Sequence, residues 1–305
     1  MPRKIFPVKV PVKFYCEVFV MKKIFLVIAL LMFFNVAQAQ PLIFVFREGV
    51  HFSESVLPHD GGLFISNFGS EQMNPRADEF KGYIIFRKDD TNKKIVDGLH
   101  KPTAMKVKDN FLFVCDETAL KVFDLKNLEA APQVVTFAED DKVLNALALD
   151  GNTLYISVTN SGRIYSLDVS KPARLGSPKL WLELGGVNGM TIGGGEMFIA
   201  TIPVDYRSVT KENVIYRVRN LKKPVAEKFF DLPGLYDGVA LSDDRKTLYV
   251  SEWSSGSVIA VDVVTKKFRI VYMEEGIGPA DIAQAEGMLF IPDLVNSRVI
   301  CIRVD

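Results

Sequence analysis

The chain has 305 residues, of which 48% are hydrophobic, and it contains 37 basic and 37 acidic residues. This composition is sufficient for a packed core and excludes an intrinsically disordered chain. Residues 1–39 hold six of the basic residues and one acidic residue, so the remaining chain carries a net charge of −5. No cluster rich in lysine and arginine stands out, and we therefore expect no nucleic-acid partner.

The N-terminal segment combines positive charge, an apolar run and small residues. From Met21, the chain has Lys22 and Lys23, then the apolar residues 24–36, then Ala37-Gln38-Ala39. This order is typical of a secretory signal peptide with an A-x-A cleavage site. We expect translation to start at Met21 and cleavage to follow Ala39, which leaves one domain over residues 40–305 in the periplasm or outside the cell.

A membrane anchor is the alternative reading of the same segment. Its apolar run of about 13 residues is shorter than the roughly 20 residues that a spanning helix needs. We therefore expect no membrane association after cleavage. Export permits disulfides, but only Cys115 and Cys301 follow residue 39, and both lie in apolar strand patterns. We expect them to be buried free thiols.

Residues 40–305 contain six weak copies of one pattern. Each copy has a polar residue, a short apolar strand, a tight turn and a second apolar strand, as in VNGMTIGGGEMFIAT and YDGVALSDDRKTLYVSE. We call the residue that opens each copy its lead residue; the six lead residues are Glu54, Thr103, Asn145, Asn188, Asp237 and Ala280. Successive lead residues are 49, 42, 43, 49 and 43 residues apart. A β-rich repeat of this length predicts an all-β protein, a six-bladed β-propeller.

The ends of the repeat array predict how the ring closes. The sixth copy has three strands before the chain ends, and residues 41–46 form a spare strand before the first copy. We predict that this spare strand pairs with residues 298–304 and completes the last blade, because closure removes exposed strand edges. Two copies also carry long insertions, residues 67–82 and 202–213, which we expect to flank the channel mouth.

Four lead residues carry oxygen donors: Glu54, Asn145, Asn188 and Asp237. First strands of propeller blades line the channel, so these side chains are expected to converge, and converging carboxylates repel unless a cation separates them. An all-oxygen set of two carboxylates and two amides suits Ca²⁺, with Mg²⁺, Mn²⁺ and Zn²⁺ as further possibilities. The alternative is that Asn-Gly and Asp-Gly at two of these positions are only turn dipeptides.

These motifs resemble a known family. Glu54 in ESV, Asn145 in LNALAL, Asn188 in VNG and Asp237 in YDG are similar to metal-site positions of the gluconolactonase/regucalcin (senescence marker protein) superfamily, and distantly to paraoxonases. The resemblance spans residues 41–305. It implies a six-bladed propeller that holds one divalent cation, often Ca²⁺, and hydrolyses lactones or related esters. Paraoxonases carry channel histidines where this chain has Thr103, so the substrate class is less well indicated than the metal.

Two carboxylates are candidates for the general base that ester hydrolysis needs. Asp237 is the first, because one of its oxygens can bind the cation while the other accepts a proton. Asp281, next to the sixth lead residue, is the second. The function we expect is an exported, metal-dependent hydrolase of lactones or small esters, monomeric and acting on small molecules. The alternative is a non-catalytic propeller of the NHL type that binds a ligand or protein partner.

Overall fold

The structure is a computed structural model that describes residues 42–70 and 80–304. The predicted signal peptide, most of the first insertion and the side chains before Phe44 lie outside the described part. Strands form six four-stranded antiparallel sheets, and the described residues contain no helix. The fold is a six-bladed β-propeller, as the sequence predicts.

Each blade is one sheet, and the blades follow one another along the chain. Blade one consists of β2 (Ser53–His59), β3 (Gly62–Asn67), β4 (Gly82–Lys88) and β5 (Thr91–Leu99). Blade two consists of β6 (Pro102–Lys108), β7 (Phe111–Asp116), β8 (Ala119–Asp124) and β9 (Gln133–Thr136). Blade three consists of β10 (Leu144–Asp150), β11 (Thr153–Val158), β12 (Arg163–Asp168) and β13 (Lys179–Glu183).

The second half of the ring repeats this arrangement. Blade four consists of β14 (Val187–Gly193), β15 (Glu196–Thr201), β16 (Ile215–Val218) and β17 (Glu227–Phe230). Blade five consists of β18 (Tyr236–Leu241), β19 (Thr247–Glu252), β20 (Ser257–Asp262) and β21 (Phe268–Met273). Blade six consists of β22 (Ala283–Ala285), β23 (Met288–Asp293), β24 (Arg298–Arg303) and, from the other end of the chain, β1 (Leu42–Phe46).

The N-terminal strand closes the ring. β1 pairs antiparallel with β24, with Phe44 opposite Cys301 and Phe46 opposite Val299. It is the outermost strand of blade six, which confirms the predicted closure. Phe46 also packs in a cluster that joins blade six to blade one and includes Val299 and Ile65. The two ends of the propeller domain are therefore held by both strand pairing and apolar burial.

The core lies between blades. Six hydrophobic clusters are present, one at each interface between neighbouring sheets. In β11, for example, Leu154 and Ile156 pack toward blade two, whereas Tyr155 packs toward blade four. Both faces of a sheet are buried in this way, so the second strands of the blades are largely apolar and buried, and the ring is a continuous core. Cys115 and Cys301 are buried free thiols within it, as predicted.

Blade six departs from the predicted strand bounds. The sequence predicts its first strand at residues 281–284, but β22 has only three residues, Ala283–Ala285. The residues before it pair elsewhere: the Asp281 amide donates to the Glu54 carbonyl at 2.9 Å, and the Ala280 amide donates to the Pro292 carbonyl at 3.0 Å. Asp281 is thereby attached to the first strand of blade one. No helix among the described residues is long and apolar enough to cross a membrane.

Candidate functional site

The first strand of every blade borders the channel. β2, β6, β10, β14, β18 and β22 each contact the first strands of both neighbouring blades, so together they form the inner ring. The lead residues of blades one to five lie at the start of these strands. The side chains that the sequence predicts to converge are therefore on one face of the ring.

A β-bulge accompanies each of these five lead residues. The register with the second strand shifts between Ser53 and Val56 in blade one and between Tyr236 and Val239 in blade five, with equivalent shifts in blades two, three and four. A bulge adds one residue to the inner strand and turns its side chain away from the sheet. The repeated bulge is what directs the lead side chains out of the interblade cores.

Serine hydroxyls satisfy three of the bulges. In blade one, Ser66 Oγ accepts from the Ser55 amide at 2.9 Å. In blade five, Ser251 Oγ accepts from the Gly238 amide at 2.7 Å and donates to the Ala280 carbonyl at 2.8 Å. Blade three has the equivalent serine. The bulged backbone is therefore bonded in place, and in blade five it is also tied to blade six.

Glycines follow two of the lead residues because neighbouring inner strands approach closely. A Cβ on Gly189 would lie 2.3 Å from the Asp237 carbonyl oxygen, and one on Gly238 would lie 2.5 Å from the Ile282 nitrogen. Both glycines lie inside strands, β14 and β18, and not in turns. The turn-dipeptide alternative is therefore wrong at both positions: close packing of blades, not a turn, requires the glycine.

Three lead side chains carry buried oxygens that nothing in the described structure satisfies. Among the described residues, seven buried side-chain nitrogen or oxygen atoms lack a hydrogen-bond partner; three of them are Glu54 Oε2, Asn188 Oδ1 and Asp237 Oδ1. The side chain of Asn145, the fourth oxygen-bearing lead residue, is also buried. Leaving a buried polar atom unpaired costs about 1–3 kcal/mol, so such a concentration at one site points to a missing partner.

The carboxylates of this site act on one another electrostatically. Burial raises the pKa of Glu54 well above its usual range, and the charges of Asp237 and Asp281 raise it further. Burial also raises the pKa of Asp237 to about 7, with a contribution from Asp281. We call Glu54, Asp237 and Asp281 the channel carboxylates. They are close enough to oppose joint ionisation in the absence of a cation.

Asp281 is held differently from the other two. Its Oδ2 accepts from Ser55 Oγ at 2.9 Å. Burial raises the pKa of Asp281, whereas the charge of Lys106 and the hydrogen bond from Ser55 lower it. The structure thus brings Asp281 to the channel beside Glu54, but gives it a hydrogen-bond partner that Glu54 Oε2 and Asp237 Oδ1 do not have among the described residues.

The donors present fit a hard divalent cation. Carboxylate and amide oxygens are the ligands that Ca²⁺ prefers, and three of the four donors carry an orphaned oxygen. The described residues contain no group of three or more His, Cys, Asp or Glu side chains arranged to hold a metal ion. Glu54, Asp237 and Asp281 therefore do not form such a group by themselves, and the candidate set depends on the amide oxygens of Asn145 and Asn188.

Two residues of the site are not predicted by the sequence pattern. Tyr206 lies in the second insertion, with 53% of its surface exposed. Burial raises its pKa, and the charges of Asp237 and Glu54 raise it further. Burial lowers the pKa of Lys106, on β6, and the charge of Asp281 opposes this shift. A lysine on an apolar strand was the available signal for Lys106; no local pattern distinguishes Tyr206.

Thr103 and the three histidines of the chain have structural roles. Thr103, the lead residue of blade two, donates from Oγ1 to the Leu144 carbonyl at 3.1 Å and so links blades two and three. His100 Nδ1 lies 2.8 Å from Glu117 Oε2, and the His59 ring stacks on Phe64. His51 packs edge-on against Tyr83. Each of these side chains is occupied by a neighbour from its own or the next blade.

Comparison with known proteins establishes the fold class only. No protein-family model matches the chain, and no curated protein matches it. Among solved structures, it is similar to a chain in a crystal structure of a nidogen/laminin complex, with a TM-score of 0.59 and 13% sequence identity. The match covers 75% of this chain and 88% of that one. At this identity, the similarity defines a six-bladed β-propeller and nothing finer; the gluconolactonase/regucalcin resemblance stays a prediction.

Proposed function

We propose that the protein is a metal-dependent hydrolase of lactones or small esters, with one divalent cation, Ca²⁺ in the first instance, held in the channel. The observation that supports this most strongly is the set of three orphaned buried oxygens on Glu54, Asn188 and Asp237. A structural channel has no need of unpaired carboxylates, because each costs free energy that an apolar residue would not. Asn145 is the fourth ligand in this proposal.

A bound cation would supply Lewis-acid polarisation of the ester carbonyl oxygen. The chain itself must supply a base, because hydrolysis transfers a proton from the attacking water. Water oxygen bonds to the carbonyl carbon, the ring carbon–oxygen bond breaks, and the proton taken by the base ends on the alcohol that leaves. General bases contribute about 10²–10⁴-fold to such reactions.

Asp237 and Asp281 are the two candidates for this role. Asp237 is the first candidate, since it has one oxygen free of protein partners among the described residues. Asp281 is the second; its Oδ2 accepts the hydrogen bond from Ser55, and its Oδ1 would be the oxygen that accepts the proton. We expect Tyr206, whose pKa is raised by burial and by the charges of Asp237 and Glu54, to contact the substrate.

Export belongs to the same proposal, because extracellular Ca²⁺ concentrations suit weak oxygen sites. The sequence of residues 21–39 supports it. Mass spectrometry of the protein recovered after expression in a bacterial host should give a mature chain that begins at Gln40. A mature chain that begins at Met1 or Met21 would contradict cleavage.

A binding propeller without catalysis is the competing function. The similarity to a propeller from a nidogen/laminin complex favours this reading, because that structure places the fold in a protein–protein assembly. The two functions differ in the channel: a docking module uses its outer surface and gains nothing from converging carboxylates.

The deciding experiment has two parts. Chelated protein is first melted with saturating Ca²⁺, Mg²⁺, Mn²⁺ or Zn²⁺, and the proposal expects at least one cation to raise the melting temperature. The loaded protein is then assayed on a panel of γ- and δ-lactones and aryl esters. Stabilisation with turnover supports the hydrolase. Stabilisation without turnover leaves a metal-bound binding propeller, and no stabilisation removes the metal site.

A further inference from the structure

The connection between the third and fourth strands of blade three is longer than its counterparts. It covers residues 169–178, between β12 and β13. The counterparts in blades one, two, four and five cover residues 89–90, 125–132, 219–226 and 263–267. Because the inner strands start at the channel mouth and neighbouring strands are antiparallel, these connections lie on the opposite face of the ring. The long connection is therefore separate from the candidate metal site.

Hydrogen bonds from blade two hold this connection in one conformation. Gln133, on β9, donates from Nε2 to the Pro172 carbonyl at 2.8 Å and accepts at Oε1 from the Leu175 amide at 3.4 Å. Within the connection, the Arg174 amide donates to the Lys171 carbonyl at 2.9 Å. Leu175 packs against the hydrophobic cluster between blades two and three. The backbone that carries Lys171 and Arg174 is therefore fixed at both ends.

A cavity with basic walls lies against this connection. Its volume is about 430 Å³, which falls in the range of about 300–1,000 Å³ typical of small-molecule sites. Lys171, Arg174 and Lys179 line it, together with Ser170 and Ser177. Among the described residues, none of the three basic side chains takes part in an ion pair. The cavity therefore presents unpaired positive charge beside hydroxyl donors.

Asp168 is the single carboxylate in the cavity lining. Its Oδ1 accepts from the Ser170 amide at 2.8 Å. Hydrogen bonds from Ser170 lower the pKa of Asp168, and the charges of Lys171 and Lys179 lower it further. Asp168 is therefore ionised at neutral pH and offsets one of the three positive charges. The lining keeps an excess of two positive charges, which a ligand with two negative charges would balance.

We propose that this cavity in blade three binds a small molecule that bears a phosphate monoester, such as a sugar phosphate. The guanidinium group of Arg174 can donate two parallel hydrogen bonds to phosphate oxygens, and Lys171 and Lys179 supply compact positive charges. The hydroxyls of Ser170 and Ser177 can bond the remaining phosphate oxygen or the hydroxyls of the sugar. This binding site is independent of the proposed hydrolase, because it lies on the other face of the ring.

Charge distinguishes a phosphate monoester from other anionic groups. The second pKa of a phosphate monoester is about 6, so the group carries close to two negative charges at about pH 7.5. A sulfate monoester or a carboxylate carries only one. Because the cavity lining has an excess of two positive charges, the phosphate should bind more tightly than a sulfate of the same shape.

The test is calorimetric titration of the protein with glucose 6-phosphate, glucose 6-sulfate and glucose, at about pH 7.5 and low ionic strength. The double variant Lys171→Gln/Arg174→Gln removes two of the basic groups that line the cavity. Lys222→Gln/Lys223→Gln is the matched control, because these exposed lysines lie in the equivalent connection of blade four and the net charge changes equally. All four side chains are exposed, so both variants should fold.

The wild-type protein should bind glucose 6-phosphate more tightly than glucose 6-sulfate and should not bind glucose. Lys171→Gln/Arg174→Gln should weaken binding of glucose 6-phosphate by about tenfold or more, since hydrogen bonds to charged groups are lost. Lys222→Gln/Lys223→Gln should stay within about twofold of the wild type. Equal dissociation constants for the two double variants would overturn the inference, because net charge alone would then explain binding. Failure of the wild type to bind glucose 6-phosphate, or tighter binding of the sulfate, would also overturn it.

Discussion

Blades two and five share a backbone feature, but the side chains that it carries have different roles. Both have a bulge at the start of the inner strand, with Thr103 and Asp237 as the lead residues. Thr103 donates its hydroxyl to the next blade at 3.1 Å, whereas Asp237 leaves Oδ1 buried and without a partner among the described residues. The same bulge therefore has two uses, and the lead side chain decides between them. Thr103 forms a hydrogen bond that joins blades two and three, whereas Asp237 contributes a buried, unpaired oxygen to the candidate site.

Substitution of the two lead residues themselves should separate the blades most clearly. Asp237→Asn should remove activity. It should also weaken Ca²⁺ binding by about 100-fold, because it replaces a charged ligand by a neutral one. Thr103→Val, at the equivalent position, should leave Ca²⁺ affinity within about twofold and lower the free energy of unfolding by about 1 kcal/mol, since it removes one hydrogen bond. Calorimetry and urea unfolding measure the two quantities. A matching loss of Ca²⁺ affinity in both variants would contradict the division of roles.

A second substitution separates the two candidate bases. Asp281→Asn should keep Ca²⁺ binding nearly intact, because Asp281 is outside the proposed ligand set. If Asp281 is the base, kcat should fall by about 10²–10⁴-fold; if Asp237 is the base, kcat should change little. Ser55→Ala is the control, since it removes only the hydrogen bond that Asp281 Oδ2 accepts. Loss of Ca²⁺ binding in Asp281→Asn would show that the ligand set is wrong.

The metal-free protein should lose stability as pH rises. The pKa of Asp237 is raised to about 7 in the folded state, mainly by burial, from an unfolded value of about 3.9. Between these values the folded state binds more protons than the unfolded state, so the free energy of unfolding falls from about pH 4 to pH 7, by on the order of 4 kcal/mol for this group. Urea unfolding with chelator across this range tests it, and Asp237→Asn should flatten the profile. Stability that rises over the same range would contradict the burial of an unpaired carboxylate.

The close approach of inner strands predicts a smaller loss of stability. Gly238→Ala would place a Cβ 2.5–2.7 Å from the backbone of residues 280–282, and overpacking of this kind costs about 1–3 kcal/mol. Gly176→Ala is the control, because a Cβ at Gly176 would have no atom within 4 Å and the φ of this residue is not in the left-handed region; its cost should stay within about 0.5 kcal/mol. Equal unfolding free energies for the two variants would show that the blades can separate without cost.

The smallest change concerns the channel mouth. Tyr206→Ala should raise KM about three- to tenfold, the worth of one aromatic contact, without a change in Ca²⁺ affinity. Val204→Ala, in the same insertion and similarly exposed, should leave KM unchanged. Equal KM values for the two variants would remove Tyr206 from the substrate path.

Most of the fold can be predicted from the sequence, because a repeat of fixed length constrains every blade at once. The sixth copy has three strand patterns where the other copies have four, and residues 41–46 form a strand pattern outside the repeat. Together, these two features indicate the closure. The bounds of β22 are the exception: Asp281 pairs with the neighbouring blade and not with its own, which a within-blade pattern cannot reveal.

The site is predictable only where it belongs to the repeat. Glu54, Asn145, Asn188 and Asp237 stand at equivalent positions, so one alignment finds all of them. Lys106 and Tyr206 are single departures from the repeat, and their approach to the channel carboxylates depends on packing between distant parts of the chain. The glycines after Asn188 and Asp237 are visible in the sequence, but their reason, contact between inner strands, needs the structure.

The proposed function depends above all on one cation being held by the orphaned oxygens of the lead residues. An anomalous difference map from crystals grown with Ca²⁺, recorded at long wavelength, tests this point without any substrate. We predict one strong peak in the channel, within about 2.3–2.6 Å of oxygens from Glu54, Asn145, Asn188 and Asp237. A channel without a peak at saturating Ca²⁺, or a peak bound only by residues outside this set, would contradict it.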